Sequence, residues 1–224
     1  DNNSFDLQGF YHSGHGSYET TGDLFAISRE AYDLSDADTD GSKSPAGLQL
    51  DAKGALKGFS VMAGPELYND ARPQFVSNYW REIDTPLAFM PSVSVGAVYA
   101  EEFGSPENEN FHPFDSFGAG RKASLAAQAV LGGAAVVKLG ILHAGSERIN
   151  AEYTPEGGDE TKKISVIDSL GGYVYAETGV IPYTTLFADA TWRGLVADTN
   201  PAPIHGGGFI TDSGVGNRME AKAG

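Results

Sequence analysis

The chain has 224 residues and is acidic, with 30 Asp and Glu against 15 Lys and Arg and a formal net charge of −15. This charge argues against nucleic acid as a partner, because phosphate binding needs basic surface. The sequence contains no cysteine, which excludes disulfides and thiol chemistry. Its length suits a single β domain over residues 1–224, and its 29 glycines favour turns and short strands.

Alternation of apolar and polar residues predicts a first β-hairpin over 46–66. Leu48 and Leu50 alternate with polar residues, which is the period-two pattern of a strand with one apolar face. The alternation resumes at Phe59 after a corner at Gly54–Gly58. Two such runs joined by a short glycine-containing connection are typical of a hairpin.

The same pattern predicts a second hairpin, with strands Leu125–Leu131 and Ala135–Ile141. The Gly132–Gly133 pair between them supplies the positive φ angles that a two-residue turn needs. The apolar stretch Ala123–Leu142 admits an alternative, a membrane helix of about 20 residues. Because the apolar residues alternate and a glycine pair lies at the centre, the hairpin is the favoured interpretation.

A third hairpin is expected from Leu170–Glu177 and Thr185–Arg193, which flank a turn at Gly179–Pro182. Shorter alternating runs predict additional strands elsewhere in the chain. These runs are Phe5–His12, Asp23–Arg29, Pro91–Phe103 and a last one from Asn217 onward.

Long polar segments separate the hairpins, namely Asp33–Ser44, Gly104–Gly118, Ser146–Lys163 and Leu195–Gly214. Tight turns alternating with long hydrophilic connections are typical of outer-membrane barrels. We therefore expect an all-β fold, an antiparallel transmembrane β-barrel, whole or in part, with long polar outer loops. The alternative is a soluble β-sandwich, whose strands also alternate. Tyr and Trp near strand ends, and Ser, Gly, Ala and Gln beside charges on the polar faces, favour the barrel.

In a barrel, the two parities of each strand face lipid and lumen respectively. The apolar parity predicts lipid contact for Leu125, Ala127, Leu139, Ile141, Leu186 and Trp192. Charges in a water-filled lumen remain solvated and influence which solutes pass. The predicted pore-lining residues are Asp51, Lys53, Gln128, Lys138, Glu177, Asp189 and Arg193.

Motifs for covalent chemistry are weak. The run His205–Phe209 looks like the glycine-rich oxyanion loop of lipases, but the sequence has no G-x-S-x-G nucleophile elbow. His12 and His15 have a spacing that two metal ligands could use, without cysteine or an acidic cluster nearby. We therefore expect a flexible glycine loop, loop histidines and no enzymatic activity.

Asp36, Asp38 and Asp40 precede Gly41 and match the start of a calcium loop, where alternate carboxylates converge on one cation. The twelfth position is Gly47 instead of the bidentate Glu that completes such a loop. An acidic, solvated loop is the favoured interpretation, with Ca²⁺ binding weak at best and no other cofactor expected.

Five short runs of the sequence resemble outer-membrane barrels of the alginate-export or porin-like type. The runs are Phe5–His15, Gly22–Phe25, Arg29–Asp33, Gly64–Tyr68 and Ala71–Phe75. The resemblance implies a monomeric barrel that moves polar or anionic solutes through its lumen. Alginate exporters have a strongly basic tunnel, whereas the cations on the predicted inner faces here are Lys53, Lys138 and Arg193.

Together these features predict a pore or export channel in a bacterial outer membrane. It would pass small polar solutes or polysaccharide by passive diffusion through a charged lumen, with the lipid bilayer as its surroundings. The second hypothesis is a soluble extracellular or particle-forming β-sandwich with a structural or binding role.

Overall fold

The computed structural model describes residues 4–11, 22–25, 27, 46–65, 73–102, 121–132, 134–145, 149–153, 160–181, 183–197, 209–211 and 218–224. Within these ranges the chain is built almost entirely of antiparallel strands. The strands are β1 (Phe5–Tyr11), β2 (Ala46–Ala52), β3 (Phe59–Pro65), β4 (Pro73–Leu87), β5 (Met90–Glu102), β6 (Arg121–Leu131), β7 (Ala135–Ala144), β8 (Glu152–Tyr153), β9 (Lys162–Lys163), β10 (Leu170–Ile181), β11 (Thr184–Arg193), β12 (Phe209–Thr211) and β13 (Arg218–Ala223).

Eleven of these strands form one sheet in the order β1-β2-β3-β4-β5-β6-β7-β10-β11-β13-β12, while β8 and β9 pair separately. The all-β antiparallel prediction is therefore confirmed. In the described part of the chain, β1 and β12 are the outer strands and do not pair with each other, so the sheet is not closed into a barrel. No helix among the described residues is long and apolar enough to cross a membrane.

The three predicted hairpins are present as β2–β3, β6–β7 and β10–β11. The membrane-helix alternative for 123–142 is wrong, because these residues form the second hairpin. Its turn is longer than predicted: Leu131 pairs with Ala135, which leaves three residues between the strands. In the third hairpin, β10 continues past Gly179 through an irregularity and pairs Ile181 with Thr184. The residue before Thr184, Tyr183, adopts a positive φ of 62°.

The longest strand, β4, was not predicted from the sequence. Its 15 residues place Trp80, Arg81 and Glu82 in succession, so neither parity is consistently apolar. The strand forms because both of its sides pair, with β3 along Pro73–Tyr79 and with β5 along almost its whole length. Tertiary pairing decides its conformation where the pattern of residues does not.

The predicted strand Asp23–Arg29 is wrong where the structure describes it, because Gly22–Phe25 form turns and Ile27 is helical. Gly22 has a φ of 90°, and the Asp23 carboxylate accepts a hydrogen bond from the Ile27 amide at 2.8 Å. A carboxylate in this position caps a helical turn and competes with a strand.

The polar segment predicted from Leu195 is also wrong at its start. Leu195, Val196 and Ala197 are buried, with 7%, 3% and 1% exposure. The amides of Val196 and Ala197 donate to the Asp168 carbonyl at 2.9 and 3.2 Å. These contacts fold the chain after β11 back against the segment before β10, and Leu195 and Val196 form a small cluster with Ile164.

From β4 to β11 the strands end in a regular stagger on the side of the long connections. In the hydrogen-bonded row through Asn78, Val98, Ser124, Leu142, Gly171 and Arg193, each residue pairs with the next. β4 extends five residues beyond this row, to Pro73, and β11 ends within the row at Arg193. The ends of β5, β6, β7 and β10 lie four, three, two and one residues beyond it. From β4 to β11 the edge therefore shifts by one residue per strand, whereas β1, β2 and β3 end level with β4, five residues beyond the row.

Close packing at one strand glycine yields a stability prediction. A Cβ on Gly96 would lie 3.2 Å from the Tyr79 carbonyl oxygen and would overlap the Trp80 ring. A Cβ on Gly172 would meet nothing within 4 Å. We expect Gly96→Ala to lower the free energy of unfolding by about 1–3 kcal/mol, as overpacking does. Gly172→Ala is the matched control and should change it little. Equal denaturation midpoints for the two variants would contradict the packing described here.

Candidate functional site

The seven predicted pore-lining residues share one face of the sheet, here called the charged face. Directly paired residues of neighbouring strands lie on the same face, and residues two apart along a strand do too. Arg193 is the last residue of the row that begins at Asn78. Asp51 extends the same row on the other side, because it pairs with Ser60, which pairs with Asn78. Gln128 pairs with Lys138, and Lys138 and Asp189 both pair with Tyr175. Glu177 follows Tyr175 by two residues, and Lys53 follows Asp51 by two.

The register brings Gln128, Lys138, Tyr175 and Asp189 into one row across β6, β7, β10 and β11. The Lys138 ammonium lies 5.1 Å from the centre of the Tyr175 ring. The Tyr175 hydroxyl donates to the Glu177 carboxylate. These four side chains and Glu177 are half-buried. We call this part of the charged face, toward the short turns, the charged zone.

Asp51 and Lys53 lie apart from that zone, on the β1–β2 side of the sheet. The Lys53 ammonium forms an ion pair with Asp6 at 2.5 Å, and Gln49 donates to Asp51 at 2.9 Å. The Lys53 and Asp6 side chains are exposed, so the pair contributes little to stability. Six of the seven predicted lining residues therefore form two groups on one face.

Toward the long connections the charged face carries a buried apolar cluster that the sequence patterns did not predict, with Lys122 paired between Ala100 and Ala144. Six of its side chains there belong to one buried core cluster: Met62, Val76, Val98, Ala100, Leu142 and Ala144. Phe25 and Ile27 pack on this cluster and are each 1% exposed. We call this region the apolar zone, and residues 22–25 with Ile27 the inner segment that covers it.

Arg193 differs from the other six predicted residues, because it is only 9% exposed. Its guanidinium Nη2 donates to the Phe25 carbonyl oxygen at 2.9 Å and lies over the Phe25 ring, 5.9 Å from the ring centre. The Phe25 ring also meets Tyr173 edge-on, with ring centres 6.3 Å apart. Arg193 thus joins β11 to the inner segment instead of facing open solvent.

Two glycines on the charged face lie where larger side chains approach the sheet. A Cβ on Gly140 would be 3.0 Å from Phe25 Cε2 and 3.1 Å from Leu24 Cδ1. A Cβ on Gly96 would overlap the Trp80 ring, against which Gly22 also packs. Because glycine has no side chain, the inner segment and the Trp80 ring can lie directly on the backbone at these positions.

The opposite face, here called the apolar face, carries all six residues predicted to contact lipid. Leu125 pairs with Ile141 and Ala127 with Leu139, while Trp192 pairs with Gly172, the partner of Ile141. The large side chains are uncovered, with Leu125, Leu139 and Ile141 at 57%, 54% and 62% exposure. A shallow groove of about 670 Å³ crosses this face. Its aromatic lining residues are Phe59, Tyr79, Tyr99, Trp192 and His143.

Other predicted motifs fall outside the described residues. These are Asp36, Asp38 and Asp40 of the calcium-loop hypothesis, His12 and His15, and the glycine loop at His205. Among the residues that the structure does describe, no group of three or more His, Asp or Glu side chains could hold a metal ion.

Two features of the sequence around the inner segment bear on its conformation, and they point to different structures. Phe25 and Ile27 alternate with neighbouring residues, and this pattern predicted a strand. A glycine followed by a capping Asp was the contrary signal, since Gly-Asp begins turns more readily than strands. Val98, Ala100, Leu142 and Ala144 are apolar residues at alternate positions of their strands, which the sequence shows. Alternation alone, however, does not predict which face of the sheet another segment covers.

No family model, no curated protein and no solved structure matches the chain. The resemblance to alginate-export and porin-like barrels therefore stays a prediction.

Burial of one serine on the charged face predicts protection of an engineered thiol. Ser124 lies between Val98 and Leu142 in the row described above and is 4% exposed. Ser92 lies on the same face near the β4–β5 turn and is half-buried. Since the chain has no cysteine, Ser124→Cys and Ser92→Cys each introduce a unique thiol. We expect a charged, water-soluble thiol reagent to modify Cys at 92 readily and at 124 far more slowly. Equal rates would show that position 124 is open to solvent and would contradict the burial described.

Proposed function

We propose that the chain forms a β-barrel in a bacterial outer membrane and conducts small polar solutes or polysaccharide by passive diffusion. The observation that carries the proposal is the division of one sheet into an exposed apolar face and a charged face. Soluble monomers rarely expose a contiguous apolar surface of this extent. In a membrane barrel the apolar face contacts lipid, and the opposite face lines the interior.

The stagger of the strand ends from β4 to β11 supports a tilted arrangement of these strands. A shift of one residue, about 3.3 Å, across a spacing of about 4.8 Å between strands corresponds to a tilt of about 35°. This value lies at the lower end of the range for membrane barrels, about 35–45°. Strands of ten or eleven residues, such as β6, β7 and β11, then span about 27 Å. That height matches an apolar band of about 25 Å.

Three charged side chains lie on the apolar face of the described strands, namely Arg81, Glu101 and Arg121. Glu101 and Arg121 lie near the long-connection edge and form an ion pair at 2.8 Å. Arg81 lies within β4, six residues before its end at Leu87, and is exposed. Glu101 and Arg121 lie at an edge of the apolar band, where a charge costs about 0–1 kcal/mol instead of about 2–4 kcal/mol at the midplane.

The direction of the strands also suits closure. Setting aside the three-residue β12, the described sheet runs through ten strands of alternating direction from β1 to β13. The first and last of these are therefore antiparallel to each other. An even number of antiparallel strands is the pattern of bacterial single-chain membrane barrels, in which closure satisfies every backbone group within lipid.

The soluble β-sandwich is the second candidate, and the open sheet favours it. A sandwich, however, needs a second layer over its apolar face. In the described residues, the only other sheet is the two-stranded pair of β8 and β9. Its strands are too short to cover a face that extends from β3 to β11. A partner sheet from another molecule would be needed.

The charged zone predicts modest cation selectivity. Its carboxylates include Glu82, Asp84, Glu177 and Asp189, which outnumber the ammonium groups of Lys138 and Lys222 on the same face. Exposed charges of this type are screened over about 8 Å at physiological salt, so the selectivity should be moderate. We expect the reversal potential across a planar bilayer under a KCl gradient to indicate cation preference.

Lys138→Gln removes a cation from the zone, so we expect the reversal potential to move further toward that of an ideal cation channel. Glu177→Gln is the matched variant, because Glu177 lies two residues from Tyr175, the pairing partner of Lys138. It removes an anion and should move the reversal potential in the opposite direction. Anion selectivity of the parent chain would contradict the charge argument. Absence of any conductance would favour the soluble β-sandwich.

A further inference from the structure

Resting on the proposed function, we propose that the groove on the apolar face binds one phospholipid, with an acyl chain in the groove and the phosphate at Arg121. The groove has a volume of about 670 Å³ and a lining that is mostly apolar. This volume lies within the range of about 300–1,000 Å³ that is typical of small-molecule sites. A lipid held there contacts protein along its sides, which distinguishes it from the lipid that surrounds the rest of the face.

The lining follows two adjacent rows of directly paired residues, so the groove is long and narrow. One row runs from Tyr79 on β4 to Trp192 on β11. Six strands spaced by about 4.8 Å give this row a length of about 24 Å. The other row, from Ser77 to Leu170, lies two residues nearer the long connections, about 7 Å away. An extended hydrocarbon chain has this shape, whereas a compact ring system does not.

Small residues lie between large ones in both rows and form the floor of the groove. The small residues are Ser77, Ala97, Ala123 and Gly172. At Gly172 the depth is visible directly, because an added Cβ would meet no atom of the described residues within 4 Å. Leu125 and Ile141 are 57% and 62% exposed and present apolar surface beside this space. The part of the groove around Gly172 can therefore receive a chain without displacing protein.

On the side of the long connections the groove leads to a charged rim. Tyr99 lines the groove, and its hydroxyl donates to Glu101 Oε2 at 2.7 Å. Arg121 Nε donates to the other carboxylate oxygen at 2.8 Å, so Glu101 holds the guanidinium beside the groove. Ala123 pairs with Tyr99 and His143 and lies two residues from Arg121 on the same strand. Its small side chain leaves a passage from the rim into the groove.

The guanidinium of Arg121 suits a lipid phosphate. The Arg121 side chain is 67% exposed and that of Glu101 only 20%, so an approaching group meets the guanidinium first. A guanidinium carries five N–H donors in a planar fork that matches phosphate oxygens. The ion pair lies at an edge of the apolar band, which is the level at which basic groups recognise lipid headgroups. A phosphate at Arg121 and a chain in the groove therefore fit a single lipid molecule.

The test measures quenching of Trp192 fluorescence by lipids that carry bromine on their acyl chains, with the full chain reconstituted in vesicles. Trp192 lines the groove, and Trp80→Phe removes the other tryptophan of the sequence. Brominated phosphatidylglycerol and brominated phosphatidylcholine are each titrated against unbrominated phosphatidylcholine. We expect phosphatidylglycerol to reach half-maximal quenching at a mole fraction several-fold lower, because the choline cation offsets the attraction of the phosphate to Arg121. If Trp80→Phe does not fold, the difference between the parent chain and Trp192→Phe reports the same quenching.

Two pairs of variants locate the lipid. Gly172→Leu fills the open space and should remove the quenching that occurs at low mole fractions of phosphatidylglycerol. Gly179→Leu is the matched control, since Gly179 lies at the short-turn end of the same strand and offers an added Cβ the same open space among the described residues. Arg121→Gln should bring the half-maximal mole fractions of the two lipids together. Lys57→Gln removes an exposed cation near a short turn instead and should leave them several-fold apart.

The outcomes separate the lipid site from the membrane barrel. Absence of quenching by either lipid would show that something else, such as a second copy of the chain, covers the apolar face, and the proposed channel would fail together with the site. Equal quenching by both lipids in proportion to mole fraction, unchanged by Gly172→Leu, would show ordinary lipid contact; the site would then be wrong and the barrel would stand. A preference for phosphatidylglycerol that survives Arg121→Gln would overturn the assignment of the phosphate to Arg121.

Discussion

The register of the antiparallel ladder is the constraint on which the rest of the structure depends. Side chains alternate with period two, so a slip of one residue in any strand would exchange its faces. The observed pairing keeps Leu125, Ile141 and Trp192 on one face, and Lys138 and Asp189 on the other, across β6, β7, β10 and β11. Backbone hydrogen bonding thus creates two surfaces of opposite character, and both the charged zone and the apolar face follow from it.

The two ends of the charged face have different surroundings. Near the short turns its charges stay half-exposed, whereas near the long connections its apolar side chains need a cover. Phe25 and Ile27 provide that cover, and the inner segment therefore occupies the space next to the sheet. The buried Arg193 is stable there because its guanidinium has a carbonyl and an aromatic ring as partners. Packing of the core and burial of Arg193 therefore depend on the same segment.

Sequence patterns predicted the hairpins well, because apolar residues such as Leu48, Leu125 and Val174 recur at every second position of their strands. They could not predict β4, where Trp80 and Arg81 give mixed parities and two neighbouring strands impose the conformation. The common face of the seven charged or polar residues follows from alternation once the register is known. The covering of Arg193 could not be predicted, since it depends on Phe25, which is 168 residues away in the chain.

The central claim, that the apolar face contacts lipid, is tested most directly by spin-label scanning of β6 and β7 in vesicles. Labels would be placed one at a time along 121–131 and 135–144. Oxygen partitions into lipid. We therefore expect the collision rate between the spin label and oxygen to peak at positions such as 125, 127, 139 and 141. Collision with a water-soluble nickel complex should not rise at these positions. High nickel collision and mobile spectra at 125 and 141 would show a water-exposed face and would contradict the membrane barrel.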